Sequence, residues 1–302
     1  SQKYIPEFLD DIIEKNLNCI NFIKTPNDSL PLFNGAASLK ISQIDKYLEN
    51  SKTNNKDNNL GGLFKIKHKN HFVIMDIDKP PQKKFSKSYQ SGPLSFEYFL
   101  DGTKIITNSG FGGHISKKAE LLSRLTACQS TLTINETSIT KFEKNEMINK
   151  VFGNSIQNSF KSFDVSEINE SDLIGCSASN NGYEKKFGCT HKREVYLDKR
   201  DNFLKGIDHI FKAKDGYPIR YAFRFHINPE LSVIKTISGN SALIQISKNK
   251  SLLFTINDEN LDIEKSIFLG DKKTIDSTCI TISGNLVNKN KTLNWEIRKN
   301  IK

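Results

Sequence analysis

The sequence predicts a mostly β protein, a large antiparallel β-sandwich of two stacked sheets preceded by a short α-helical segment. From Leu63 onward, about a dozen short segments are rich in Ile, Val, Phe, Tyr and Thr, with apolar and polar residues alternating. Turn signals such as Asp101-Gly102 and Asn181-Gly182 separate these segments. No helical pattern lies between them. Successive strands without intervening helices pair antiparallel and bury their apolar faces as two packed sheets.

Residues 1–50 form the predicted helical segment. Apolar residues recur at helical spacing from about residue 4 to residue 24, and a second short helix is predicted over residues 41–48. Residues 51–62 are the predicted linker loop, because the run around them holds almost only polar residues. The sandwich domain is predicted over residues 63–302. One helix cannot bury its own apolar stripe, so we expect it to pack on the sandwich or on helices outside this sequence.

Composition restricts the class of protein. The chain has 302 residues, with 44 basic and 34 acidic residues and a formal net charge of +10. This excess could steer the protein towards a polyanionic partner. The lysines are scattered among many Asn and Ile residues, however, which favours a purely compositional origin, and no basic patch interleaved with aromatic residues points to nucleic acid. No apolar run is long enough to span a membrane. The five cysteines form no CxxC pair, which argues against a disulfide framework or a thiolate zinc site.

The segment GPLSFEYFLDGTKIITNSG, residues 92–110, is a predicted β-hairpin. Its two-residue Asp101-Gly102 turn suits type I′, which sets the register of the two strands. Polar residues lie at its ends, with Gln90 just before it and Asn108 inside it. These residues either end solvated strands or line a site, and the pattern alone leaves both possibilities open.

Seven segments in order resemble the C-terminal β-sandwich of the heparinase II/III family of polysaccharide lyases, in its alphaproteobacterial branch. They are LPLFNG (30–35), FVIMDIDKPP (72–81), the hairpin (92–110), SRLTACQSTLTINETS (123–138), NGYEKKFGCTHKREVYL (181–197), IRYAFRFHINP (219–229) and the closing strands (241–298). The resemblance implies that the first helix ends an α/α toroid whose remainder lies outside this sequence. It also implies an acidic polysaccharide substrate.

The family cleaves uronic-acid-containing glycans by β-elimination. This chemistry needs a group that neutralises the sugar carboxylate, a base that takes the adjacent proton and an acid that protonates the leaving oxygen. The resemblance suggests His191 as a catalytic residue, and Arg193, on the same side of its strand, as a contact to a sugar carboxylate. Tyr89, in a basic stretch before the hairpin, is a second catalytic candidate that could reach into a cleft, and Arg124 is a candidate anion contact. As alternatives, His191 is a hydrogen-bonded sheet residue, Arg193 forms a structural ion pair, and Tyr89 caps a sheet edge.

Many family members hold a structural metal on the sandwich, and the matching positions here are Gln90, Asn108 and Gln129. Neutral amides are poor zinc ligands. We therefore predict no metal and no other cofactor. The three amides could hydrogen-bond among themselves and hold the same loops, a structural role without an ion. They are expected to face a cleft, where substrate contact is the other role left open for them.

These observations lead to two functional hypotheses. The first is the C-terminal part of a polysaccharide lyase that carries half of an active site and acts on a glycosaminoglycan or alginate. The second is a non-catalytic sandwich of a degenerate lyase that binds glycan or supports the missing toroid. A periplasmic or cell-envelope location is expected for either hypothesis, with the cytoplasm as the alternative.

Overall fold

The computed structural model describes residues 6–37, 41, 46–47, 58–213, 217–257, 259–287 and 290–300. Within these residues one long helix precedes two antiparallel sheets, which confirms the predicted fold class. The helices are α1 (Glu7–Ile23), α2 (Lys117–Ser123), α3 (Glu146–Phe152) and α4 (Glu184–Phe187). None of the helices in the described ranges is both long and apolar enough to cross a membrane.

The first sheet is built mainly from the N-terminal half of the sandwich. Its strands are β1 (Asn59–Leu60), β2 (Leu63–His68), β3 (His71–Asp76), β4 (Phe96–Leu100), β5 (Thr103–Thr107), β6 (Leu132–Ile134), β11 (Ile219–Ile227), β15 (Asp262–Phe268) and β16 (Ile275–Leu286). They run in the order β1-β2-β3-β4-β5-β11-β16-β15, with β6 paired to β11. Both β5 and β6 therefore pair with β11, which lies more than a hundred residues after β5 in the chain.

The second sheet comes from the C-terminal half. Its strands are β7 (Ser162–Asn169), β8 (Leu173–Tyr183), β9 (Cys189–Asp198), β10 (Phe203–Lys212), β12 (Ser232–Lys235), β13 (Ser241–Ser247), β14 (Lys250–Ile256) and β17 (Lys291–Lys299). The strand order is β12-β13-β14-β17-β10-β9-β8-β7. The edge strand β7 is polar and mostly exposed, and for that reason the hydrophobic alternation did not predict it.

An aromatic cluster fills the space between the sheets. Phe96 and Phe225 from the first sheet meet Trp295 from the second at ring-centroid distances of 5.4 and 5.1 Å. A side chain at Gly206 would collide with the Trp295 ring, since an added Cβ would lie 2.0 Å from it. Burial of such large apolar groups is the main force holding the two sheets together.

Helix α1 touches the sandwich only through its C-terminal end. Ile23 packs with Phe33 against Phe72, Ile74 and Phe99 on the outer face of the first sheet. The earlier apolar residues of the helix remain exposed; these are Phe8, Leu9, Ile12 and Ile13. The sandwich therefore covers one end of the predicted apolar stripe and leaves the rest of it uncovered.

Three predicted features have different outcomes. The type I′ turn is present, with φ of +52° at Asp101 and +78° at Gly102. A β-bulge after Tyr98 shifts the register that the turn sets, so that Ile106 pairs with Tyr98 and joins the core. The predicted helix over residues 41–48 and the linker residues 51–57 fall largely outside the described residues. The end of the predicted linker forms strand β1.

Candidate functional site

Two of the predicted residues, His191 and Arg193, lie in a buried ion network between the sheets. Both are on β9 and share one face of that strand, and Asp208 lies opposite Arg193 on β10. The Arg193 guanidinium donates to both carboxylate oxygens of Asp208, at 2.7 and 3.1 Å. His191 Nε2 lies 2.7 Å from Asp208 Oδ1, and Trp295 Nε1 donates to Oδ2 at 2.8 Å. We call these four residues the inter-sheet ion network.

Arg193 also connects the network to the opposite sheet. Its Nη1 donates to the carbonyl oxygens of Leu94 and Ser130, at 2.9 and 2.7 Å, which precede β4 and β6. Burial by itself would raise the pKa of Asp208, but the charge of Arg193 and the hydrogen bond from His191 hold that pKa well below its usual range. Burial lowers the pKa of His191, against the opposing effect of Asp208. The network thus joins the two sheets across the core through charged hydrogen bonds.

Arg124 performs a similar task for the loop that carries Tyr89. It is fully buried, and its guanidinium donates to the carbonyl oxygens of Tyr89 and Ser86 at 2.9 and 2.8 Å. The guanidinium carbon lies 4.0 Å from the ring centroid of Phe142. Burial lowers the pKa of Arg124 to about 10. This environment positions a loop and leaves the guanidinium no route to an external anion.

The three amides Gln90, Asn108 and Gln129, which we call the amide cluster, fasten backbone segments. Gln90 Nε2 and Gln129 Nε2 both donate to the Ser123 carbonyl oxygen, at 3.0 and 2.8 Å. Asn108 Oδ1 accepts from the Ser130 amide at 2.9 Å. The loops are therefore held as expected. Among the described residues, the side-chain hydrogen bonds of the amide cluster run to backbone groups, and none of them joins one amide to another.

The amide cluster does not fit a metal ion. Two of its three side chains direct N–H donors at a carbonyl oxygen, and a cation needs lone pairs from its ligands. In the described ranges, no group of three His, Cys, Asp or Glu side chains is arranged to bind a metal. The five cysteines are free thiols.

All seven predicted site residues are buried. The exposed fractions are 3% for Tyr89, 2% for Gln90 and His191, 1% for Gln129, and 0% for Asn108, Arg124 and Arg193. The sequence prediction placed these side chains at a cleft. The structure places them inside the sandwich and in the loops packed on it. Most of their polar groups meet internal partners, but the Tyr89 hydroxyl, Asn108 Nδ2 and Arg124 Nη1 have none among the described residues. Direct contact with a glycan would require them to be uncovered, so the geometry supports positioning roles.

A surface feature that the sequence prediction missed lies between α1 and the β2–β3 hairpin. Here Lys65, Lys67 and Lys69 line an open groove of about 370 Å³, which we call the basic groove. Lys65 Nζ donates to the Phe22 carbonyl oxygen at 3.2 Å and lies 4.2 Å from the Phe22 ring centroid. Lys67 and Lys69 are exposed. The signal was present in LFKIKHKNH, where Lys65 and Lys67 alternate with the buried Phe64 and Ile66.

The other charges of the basic groove are mostly neutralised. Asp28 pairs with Lys24 at 3.0 Å, and Asp101 pairs with Lys250. Burial lowers the pKa of His71 to about 4, so this histidine is neutral at pH 7, and its Nδ1 lies 2.9 Å from the Tyr98 hydroxyl. The positive charge of the groove therefore comes from Lys65, Lys67 and Lys69.

The described residues thus form a sandwich of an eight-stranded and a nine-stranded sheet, joined at one outer face to the end of a helix. The model of the heparinase II/III-like C-terminal domain matches residues 51–296. The chain belongs to this family, as the resemblance implied. No curated protein matches the sequence.

Solved structures share the fold at low sequence identity. The heparan sulfate lyase HepC from Pedobacter heparinus aligns with a TM-score of 0.75 and 13% identity, over 99% of this chain and 48% of that protein. A heparinase III gene product aligns with a TM-score of 0.74 and 13% identity, over 99% and 48%. Another heparinase III aligns with a TM-score of 0.71 and 14% identity, over 98% and 49%. The chain spans about half the length of these structures.

Proposed function

We propose that this chain is the C-terminal part of a polysaccharide lyase that cleaves uronic-acid-containing glycans by β-elimination. Membership of the heparinase II/III-like family over residues 51–296 is the observation that carries the proposal. The three similar structures extend to about twice the length of the alignment, which supports a longer protein with an N-terminal α/α toroid. Heparan sulfate is the first substrate to test, because a lyase of that substrate is among the similar structures.

In this proposal the sandwich binds and positions the substrate, and the reacting groups lie largely outside the 302 residues. The burial of Tyr89, His191 and Arg193 supports this division. The basic groove supplies exposed ammonium groups that attract carboxylates and sulfates of an acidic polymer. It lies where α1 joins the first sheet, so a domain continuing from α1 would stand next to it.

The test uses the full-length protein with heparan sulfate, other glycosaminoglycans and alginate, following the ultraviolet absorbance of the unsaturated product. Turnover on at least one uronan is the expected result. A folded full-length protein that produces no absorbance change on any of them contradicts the enzyme proposal.

The second candidate is a non-catalytic glycan-binding or supporting sandwich. The observation that favours it is the complete burial of the predicted catalytic and substrate-binding side chains. Glycan binding by the full-length protein without turnover would support this candidate and exclude the first. For both candidates we propose a periplasmic or cell-envelope location, where such glycans are accessible, with the cytoplasm as the alternative.

A further inference from the structure

A second basic surface lies on the loop that follows β3. Residues 78–87 read DKPPQKKFSK, so that four lysines stand against a single aspartate. All four lysine side chains are exposed, and in the part of the chain that the structure describes none of them forms an ion pair. We call residues 79–87 the lysine loop; its lysines are Lys79, Lys83, Lys84 and Lys87. Positive charge that no contacting carboxylate neutralises attracts an anionic ligand.

The lysine loop is separate from the basic groove. The groove lies at the β2–β3 turn, where β3 begins, and the lysine loop follows the other end of β3. A strand of six residues places these two ends roughly 17 Å apart. The two surfaces therefore cannot hold the same sugar residue.

The lysine loop also carries an exposed aromatic ring. Phe85 is 67% exposed and borders a cavity of about 290 Å³ that Lys79 and Pro81 also line. Lys84 Nζ lies 4.8 Å from the Phe85 ring centroid. A phenyl ring left in water forfeits the free energy that its burial would provide. The ring is therefore available to a ligand that has both an apolar face and a negative charge.

Buried contacts hold this ring in its exposed position. Ser86, the next residue, is 0% exposed. Its hydroxyl donates to the Lys83 carbonyl oxygen at 2.7 Å and accepts from the Ile156 amide at 2.9 Å. Its carbonyl oxygen accepts from the Arg124 guanidinium at 2.8 Å. The backbone that presents Lys84 and Phe85 is thus fixed before a ligand arrives, which lowers the entropy cost of binding.

The polar groups around the loop are divided between its two sides. The cavity beside Phe85 is lined by the carboxylates of Asp76 and Asp78, which accept hydrogen bonds from hydroxyl groups and repel anions. Lys83 lines a second open cavity, of about 440 Å³, and Lys79 borders both cavities. A suitable ligand therefore presents hydroxyl groups to one side and an anionic group to the other. An acidic sugar residue combines these groups with an apolar C–H face.

We propose that the lysine loop is a subsite for one acidic sugar residue of a glycan chain. The face of the Phe85 ring stacks on the C–H groups of the pyranose, which its negative quadrupole attracts. Lys83 and Lys84 bind the carboxylate or sulfate of that residue, and Asp78 accepts from its hydroxyl groups. The kind of ligand rests on the proposed function, and the subsite adds the residues that recognise one sugar of it.

The experiment measures the affinity of the 302-residue chain for a heparan sulfate oligosaccharide of defined length by titration calorimetry, at one fixed ionic strength. Inorganic polyphosphate is the second probe, because it is anionic and has no sugar ring. Phe85→Ala should weaken oligosaccharide binding about 2- to 10-fold and leave polyphosphate binding unchanged. Phe85→Trp should preserve oligosaccharide binding. Lys83→Gln combined with Lys84→Gln should weaken the binding of both probes, about 2- to 30-fold.

Phe163→Ala is the matched control, because Phe163 is a partly exposed phenylalanine, 38% exposed, on the edge strand β7. It should leave the affinity for both probes unchanged. A desulfated oligosaccharide identifies the anionic group: if the lysine variant still weakens its binding, the lysines bind the carboxylate, and if it no longer does, they bind sulfate.

An oligosaccharide affinity that Phe85→Ala leaves unchanged overturns the subsite, as does an equal loss for oligosaccharide and polyphosphate. Neither result bears on the proposed lyase function, which the turnover of the full-length protein decides. A folded wild-type chain that does not bind the oligosaccharide also overturns the subsite. Because Phe85 is largely exposed, Phe85→Ala should fold as the wild type does, and an unchanged melting temperature verifies this.

Discussion

Removal of the negative charge at Asp208 is the sharpest test of the inter-sheet ion network. The Asp208 carboxylate is 0% exposed and accepts four hydrogen bonds, two from Arg193 and one each from His191 and Trp295. Asp208→Asn keeps the shape of the side chain but places an amide N–H against one of these donors. It also leaves Arg193 buried with only carbonyl oxygens as partners.

The expected cost follows from that unpaired charge. Removing one partner of a buried ion pair typically destabilises a protein by about 3–5 kcal/mol. With an unfolding entropy of roughly 2.1 cal/mol/K per residue, a chain of this length should lose about 5–8 °C in melting temperature. The measurement is thermal and urea unfolding followed by circular dichroism.

Two further variants make the result interpretable. Lys235→Gln breaks an exposed ion pair, between Lys235 and Asp262 at 3.0 Å, and should cost less than about 1 kcal/mol. An Arg193→Met, Asp208→Leu double variant removes both charges and should recover part of the lost stability. If Asp208→Asn unfolds within about 1 kcal/mol of the wild type, the network does not brace the sheets and the reasoning fails.

Three other predictions concern the groove, the metal and pH. The double variant Lys67→Gln, Lys69→Gln should weaken heparan sulfate binding about 2- to 30-fold, at roughly 0.2–1 kcal/mol per surface charge. The control Lys248→Gln, which removes an exposed lysine elsewhere, should leave the binding affinity unchanged. An equal loss of affinity in both variants would refute a specific groove. Elemental analysis of purified protein should find no stoichiometric zinc, since the amide cluster does not fit it; one zinc per chain would refute this. Burial lowers the pKa of His226 from about 6.5 in the unfolded chain to about 4 in the folded protein. The folded state therefore prefers the neutral imidazole, and this contribution to stability is fully present above about pH 6.5. It is lost as the pH falls from about 6.5 towards 4, where the folded protein also becomes protonated. The loss is on the order of 3 kcal/mol, and His226→Gln should flatten the measured stability-against-pH curve; an unchanged slope would contradict the assignment.

The sequence predicted the elements of the fold better than the site. Strands with one apolar face, such as β9, were visible because alternation records which side chains are buried. The polar edge strand β7 and the seven-residue helices α2 and α3 were not predicted. Ser116 and Asn145 are the N-caps of these helices. Ser and Asn are equally common in loops, so without a clear helical pattern after them they do not predict a helix. The β-bulge after Tyr98 was also missed, since alternation assumes a regular register.

The predicted site residues show the limit of local reasoning. His191 and Arg193 share a face of one strand, and the sequence states this much through their spacing. Their partner Asp208 lies on the next strand, and Trp295 comes from β17, nearly ninety residues beyond Asp208. A polar side chain on a strand has the same pattern whether it lines a cleft or completes a buried ion pair.

By itself, the sequence determined the class of fold, the type I′ hairpin turn and the resemblance to one lyase family, because these depend on local periodicity, turn chemistry and the order of segments. Only the tertiary structure decided that the seven polar residues are buried, that Lys65, Lys67 and Lys69 line a groove beside α1, and that Phe85 lies exposed beside a cavity. Those outcomes depend on which distant segments pack against each other, and burial, charge pairing and access to solvent exist only after that packing has formed.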